Sequence, residues 1–118
     1  MATVLVVDDS AFTRMRCANV VKELGYDVLE AADGREAVSL YKQEKPAAVL
    51  MDITMPGTGG LQALAEILAF DAGARVAMVT AMGQQSIVLE AIKAGARDFV
   101  VKPFDPARVQ AALQKLVA

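Results

Sequence analysis

Four short hydrophobic runs punctuate the chain, and each ends on a polar residue. Val4-Leu5-Val6-Val7 leads into Asp8-Asp9, Ala47-Ala48-Val49-Leu50-Met51 into Asp52, Val76-Ala77-Met78-Val79 into Thr80, and Phe99-Val100-Val101 into Lys102. Short β-branched runs with no polar interruption read as strands buried on both faces, the pattern of a parallel sheet. A fifth strand, about Asp27–Ala31, carries Asp27 and Glu30 and suits a sheet edge. Helical segments are expected between the strands. The first runs from about Ser10 to Leu24, where Gly25 suits a left-handed end. A second opens at Asp33-Gly34 and reaches about Glu44, stopped by Pro46. A third spans about Leu61–Phe70 and a fourth about Gln84–Ala94, closed by Gly95. The last opens at Asp105-Pro106, a cap followed by proline at the first helical position.

This alternation predicts an α/β fold: a doubly wound, five-stranded parallel sheet with five helices on its two faces. With the second strand at the edge the order is 2-1-3-4-5, and the switch point falls between strands 1 and 3. Parallel strands end at one edge of the sheet, where the ligands of such folds bind. Asp8, Asp9, Asp52, Thr80 and Lys102 would therefore converge although they span most of the sequence.

Length and composition narrow the chemistry. The 118 residues suffice for one domain with a real core, expected to span 1–118. Apolar residues make up 55% of the chain, which argues against disorder. They fall in runs too short to cross a bilayer, and no export signal is seen. A single cysteine, Cys17, fits a reducing cytoplasm and an ordinary packing role. The formal net charge is −2, and no stretch concentrates Lys and Arg, so nucleic acid is not an expected partner. Histidine is absent, which removes His-based metal sites and Ser/His/Asp triads.

Three carboxylates in one crevice repel each other. At an effective dielectric near 20, two charges ~4 Å apart interact by about 4 kcal/mol. A cation must offset that repulsion, and Mg²⁺ suits carboxylates combined with phosphate oxygens. Lys102 supplies a second, fixed positive charge. A carboxylate so placed can attack phosphorus and form an aspartyl phosphate. Asp52 is the best nucleophile because it ends the central strand ahead of the glycine-rich stretch Gly57-Thr58-Gly59-Gly60. Each residue also has a plainer structural reading. Asp8, Asp9 and Ser10 could cap the first helix, Asp52 could brace its own loop, Thr80 could simply end a strand, and Lys102 could be a solvated charge. Their joint appearance at four strand ends favours the chemical reading.

The motifs Val6-Val7-Asp8-Asp9, Met51-Asp52-Ile53-Thr54-Met55-Pro56, Val79-Thr80-Ala81 and Lys93–Phe104 resemble the receiver domain of two-component response regulators, over essentially the whole chain. The resemblance implies the flavodoxin-like receiver fold and phosphorylation of Asp52 by a partner histidine kinase. It implies Mg²⁺ held by Asp9, Asp52 and the Thr54 backbone carbonyl, with Asp8 acting through water. Thr80 and Lys102 would contact the phosphoryl group, the Lys102–Pro103 peptide would be cis, and Phe99 would turn inward as Thr80 moves. Within the family the chain is most similar to stand-alone CheY-type chemotaxis regulators, which implies a CheA-type kinase, a flagellar motor switch protein as output, a possible phosphatase, and a cytoplasmic monomer. Such a protein catalyses only its own phosphotransfer and autodephosphorylation. A phosphorelay receiver or the receiver of a larger regulator is the alternative. One departure from the family pattern lies at Gly57-Thr58-Gly59-Gly60, where a capping side chain is missing and a loose loop around Thr58 is expected. Thr54 and Met82 flank the phosphoryl group in the family and influence its lifetime.

Other classes fit less well. A phosphatase of the haloacid dehalogenase type needs an acid two residues after its nucleophile, where Thr54 stands. A flavin carrier would not place Asp8-Asp9 against a phosphate, and 5% aromatic residues offer little for stacking a flavin. A pure interaction module leaves the acids at the sheet edge unexplained.

Overall fold

The computed structural model describes residues 2–53, 59–81, 85–103 and 105–117. Strands and helices alternate: β1 (Thr3–Val7), α1 (Ala11–Glu23), β2 (Asp27–Ala31), α2 (Gly34–Glu44), β3 (Ala48–Asp52), α3 (Gly60–Phe70), β4 (Val76–Thr80), α4 (Gln85–Ala94), β5 (Asp98–Val101) and α5 (Pro106–Val117). All strand pairs are parallel, in the order β2-β1-β3-β4-β5. The expected architecture and strand order are thus the observed ones.

Burial explains the hydrophobic runs. β3 and β4 are buried along their whole length, and β1 from Val4 onward. Alternate residues feed two cores. Leu5, Val7, Val49, Met51 and Met78 pack with α2, α3 and α4, whereas Val4, Val6, Leu50, Ala77 and Val100 pack with α1 and α5. Each fully buried Val or Leu contributes about 1.5 to 3 kcal/mol relative to exposure, so these two layers fix the register. That register aligns Val7 with Met51, Asp52 with Val79, and Thr80 with Val101. The polar residues that follow share one edge as a result.

The helix ends follow local chemistry. Ser10 caps α1 by accepting a hydrogen bond from the Thr13 N–H at 3.3 Å. Gly25 follows α1 with φ +98°, a left-handed turn that glycine adopts without strain. Asp33 caps α2 through the Glu36 N–H at 2.8 Å, and Glu36 reaches back to the Ala32 N–H. Several boundaries differ by one residue from the sequence expectation. α1 spans Ala11–Glu23 rather than Ser10–Leu24, β4 spans Val76–Thr80 rather than about Arg75–Val79 because Thr80 pairs with Val101, and α3 starts at Gly60 rather than Leu61.

Arg108 ties α5 to β5. Its guanidinium donates to both oxygens of Asp98, at 3.3 and 2.8 Å, and to the Phe99 carbonyl. Burial would push the Asp98 carboxyl up, but Arg108 and the Phe99 N–H outweigh it and hold the group below the usual carboxylate range. A depressed folded-state pKa stabilises the fold fully above the unfolded value, about 3.9, and that contribution fades as pH falls through the folded value. Arg108→Ala should therefore be less stable than wild type at neutral pH, with the gap narrowing below about pH 4. Urea unfolding across pH 3 to 7 measures it, and a gap independent of pH would show that the ion pair contributes nothing.

Candidate functional site

At the carboxyl edge of the sheet the chain gathers Asp8, Asp9 and Asp52 around Lys102, and Thr80 stands at the same edge at the end of β4. β1 delivers Asp8 and Asp9 immediately beyond Val7, β3 ends on Asp52, β4 ends on Thr80, and Lys102 follows β5. One ligand oxygen from each of Asp8, Asp9 and Asp52 lies within 4.8 Å of the others. Asp8 and Asp52 are 3% and 6% exposed, whereas Asp9 faces solvent.

The Lys102 ammonium sits between the two buried acids. Its Nζ donates to Asp8 Oδ2 at 3.1 Å and to Asp52 Oδ2 at 3.4 Å. Burial would lower the Lys102 pKa, but the hydrogen bond to Asp8 and the charges of Asp52 and Asp8 outweigh that and raise it. The ammonium is therefore firmly charged. The Lys102–Pro103 peptide bond is cis.

Asp8 is held at every polar atom. Its N–H donates to the Ala31 carbonyl at 3.1 Å, its carbonyl accepts from Arg14 Nη1 at 2.8 Å, and Oδ1 accepts from the Ser10 N–H at 2.9 Å. Oδ2 takes Lys102. The plainer reading of Asp8 as the cap of α1 does not describe it, because Ser10 fills that role.

Thr80 is buried, and its hydroxyl donates to the Ala81 carbonyl at 3.1 Å. Phe99 lies on the edge strand, paired with Met78, while Val101 pairs with Thr80. Paired residues of a parallel ladder point to one side, so Phe99, Val101 and Thr80 share a face of the sheet. Phe99 is 38% exposed, and α4 also carries exposed Leu89 and Ile92. Thr54, Thr58 and Met82 lie outside the described residues.

Three contributors are not apparent from sequence. Arg14 and Arg108 act on backbone carbonyls, and no periodicity betrays such a bond. Gly60 belongs to the glycine-rich stretch read as a source of freedom, yet it marks a close approach. A Cβ there would meet the Asp52 carbonyl oxygen at 2.2 Å and Ile53 backbone atoms at 2.9 Å. The Gly60 N–H donates to the Ile53 carbonyl at 3.2 Å, so α3 begins directly against the backbone of Asp52 and Ile53. Its N-cap, Gly59, makes no side-chain capping bond, as the missing polar residue implies.

The donor set is hard, anionic oxygen whose three negative charges are only partly offset by one ammonium, which fits Mg²⁺ better than a softer metal. Removing the ammonium should strip the two acids of their fixed counter-ion. In Lys102→Ala we expect a loss of about 3 kcal/mol without divalent cation and tighter Mg²⁺ binding than wild type. Thermal melts with EDTA and with Mg²⁺ check both, since a tighter ligand gives a larger upward shift. An Mg²⁺-induced shift smaller than that of wild type would contradict this electrostatic description.

The model of the response regulator receiver domain family matches residues 4–114. The chemotaxis protein CheY of Thermotoga maritima is 54% identical over 114 residues, 96% of this chain and 95% of that protein. CheY of Listeria monocytogenes is 51% identical over 116 residues, 98% of each. Among solved structures, CheY4 of Vibrio cholerae superposes with a TM-score of 0.92 at 30% identity, covering 98% of both chains. A CheX–CheY–BeF3–Mg²⁺ complex from Borrelia burgdorferi gives 0.92 at 38% identity, covering 99% of this chain and 90% of that one. With the acids, hydroxyl and lysine assembled at one sheet edge and these likenesses along nearly its full length, the chain belongs to the response regulator receiver domain family, among CheY-like chemotaxis relatives.

Proposed function

We propose that this chain is a phosphorylation-activated switch of a two-component system, taking a phosphoryl group onto Asp52 and acting on the flagellar motor switch in chemotaxis. The observation that carries the reading is the Lys102 ammonium within 3.4 Å of Asp52 and 3.1 Å of Asp8, beside the third acid, Asp9. An Asp52 carboxylate oxygen forms the new P–O bond as the P–N bond of a phosphohistidine on a CheA-type kinase breaks. The imidazole leaves with the electron pair and takes a proton from water. Mg²⁺, when bound, would supply positive charge to offset the negative charge on the phosphoryl oxygens. Asp9, Asp52 and the Thr54 backbone carbonyl would hold it directly, and Asp8 through water. Lys102 turns from the carboxylates to a phosphoryl oxygen, and Thr80 donates to another. The protein catalyses this transfer and its own later hydrolysis, with no separate substrate turned over.

The readout is a population shift. The phosphoryl group binds better to the state in which Thr80 points at it, so that state gains population. Phe99, on the same face of the sheet, turns inward as Thr80 moves, and the exposed surface formed by α4, β5 and α5 changes. The motor switch protein binds that altered surface. The Borrelia protein forms a complex with a second protein, CheX, and a phosphatase is proposed as a second partner of this chain. No described helix is long and apolar enough to cross a membrane; the proposed switch works as a cytoplasmic monomer.

Acetyl phosphate with Mg²⁺ should add one phosphoryl group to the wild-type chain, visible by intact mass, and none to Asp52→Asn or to wild type in EDTA. Equal modification of Asp52→Asn would place the acceptor elsewhere. The activated chain, held by beryllofluoride and Mg²⁺, should bind a motor-switch N-terminal peptide at least tenfold more tightly, about 1.4 kcal/mol. Unchanged binding would retain the phosphorylation chemistry and assign the output to another partner.

A further inference from the structure

Arg14 stands one turn into α1, with its side chain 20% exposed. Its Nη1 donates to the Asp8 carbonyl at 2.8 Å, and its Nε donates to Glu30 Oε1 on β2 at 3.2 Å. The Asp8 carbonyl belongs to the peptide that joins Asp8 to Asp9. The other three polar atoms of Asp8 are held by Ala31, Ser10 and Lys102. Arg14 therefore supplies the hold on the peptide plane from which Asp9 departs. Asp9 is exposed, and its carboxylate takes its direction from that plane.

We infer that Arg14, braced by Glu30, is a positioning residue for the cation pocket: by fixing the Asp8–Asp9 peptide it aims the Asp9 carboxylate at the site shared with Asp52. The inference rests on the proposed Mg²⁺-dependent function and adds to it a residue outside the acidic set. A guanidinium suits the task because its planar fork donates in two fixed directions, to a carbonyl on one side and a carboxylate on the other. A lysine keeps the charge but cannot hold both acceptors in that geometry.

The sign of the effect separates positioning from simple charge. Arg14 is a cation beside an acidic pocket, so Coulomb's law alone says that removing it should strengthen Mg²⁺ binding, as for Lys102→Ala. Positioning says the reverse. Mg²⁺ titration of the full chain, followed by backbone amide shifts at constant ionic strength, reads the affinity of the folded protein. We expect Arg14→Ala to bind Mg²⁺ about 10-fold more weakly and Arg14→Lys about 3-fold more weakly, in the manner of residues that orient metal ligands. Urea unfolding in EDTA tracks stability separately. Lost stability with unchanged Mg²⁺ affinity, or tighter binding in Arg14→Ala, would overturn the inference. If Arg14→Ala does not fold, Arg14→Lys decides: weaker binding supports positioning, and wild-type affinity overturns it. Saturable binding by wild type and equal affinity in the variants defeats this inference alone. No saturable binding by wild type defeats the proposed function and this inference together.

Discussion

A single ammonium group between two buried carboxylates sets the terms for the rest of the molecule. Asp8 and Asp52 stand at the ends of adjacent central strands, largely removed from water. Two such charges would push β1 and β3 apart at the sheet edge. Lys102, 50 residues beyond Asp52 in sequence, reaches both at hydrogen-bond distance. In the proposed reaction, this pair of buried acids sharing one lysine ammonium would receive a divalent cation and an anion together. The lysine can turn to the incoming anion while a divalent ion takes over the carboxylates. The resting structure thus already holds the charges that the proposed reaction redistributes.

The fold exists, in this view, to hold that charge pattern against its own repulsion. Two hydrophobic layers, one under α2, α3 and α4 and one under α1 and α5, lock the strand register. The register puts Thr80 beside Val101 and Met78 beside Phe99, so the hydroxyl and the exposed aromatic share one face. A change at the acidic edge has a short path to the surface because both residues sit on neighbouring strands. Arg108 pins the carbonyl of Phe99 to α5, so the backbone stays put while the ring is left to move.

Much of this was legible in the amino-acid sequence, for a physical reason. Strands buried on both faces need continuous apolar runs, and such runs are easy to see. Because parallel strands end together, the residues after Val7, Met51, Val79 and Val101 had to meet. The sequence was silent where the decisive contact runs from a side chain to a backbone carbonyl. Arg14 on the Asp8 carbonyl and Arg108 on the Phe99 carbonyl leave no spacing or composition signal. Tyr41 and Asp71, joined by a hydrogen bond of 2.7 Å between α2 and the end of α3, are similarly invisible until the helices are placed. Gly60 shows the converse case. Its glycine was evident but its meaning was not, because close approach to the Asp52 carbonyl appears only once α3 is docked.

In the proposed switch, charge placed on Asp52 reorients Phe99 through Thr80. The most direct measurement is the nuclear Overhauser contact between the Phe99 ring and the Thr80 methyl group, recorded without additions and with Mg²⁺ plus beryllofluoride. The contact should strengthen and the ring become protected from solvent only with both additions, and Asp52→Ala should show neither change. An unaltered, exposed Phe99 ring in a chain with beryllofluoride demonstrably bound at Asp52 would contradict this switch.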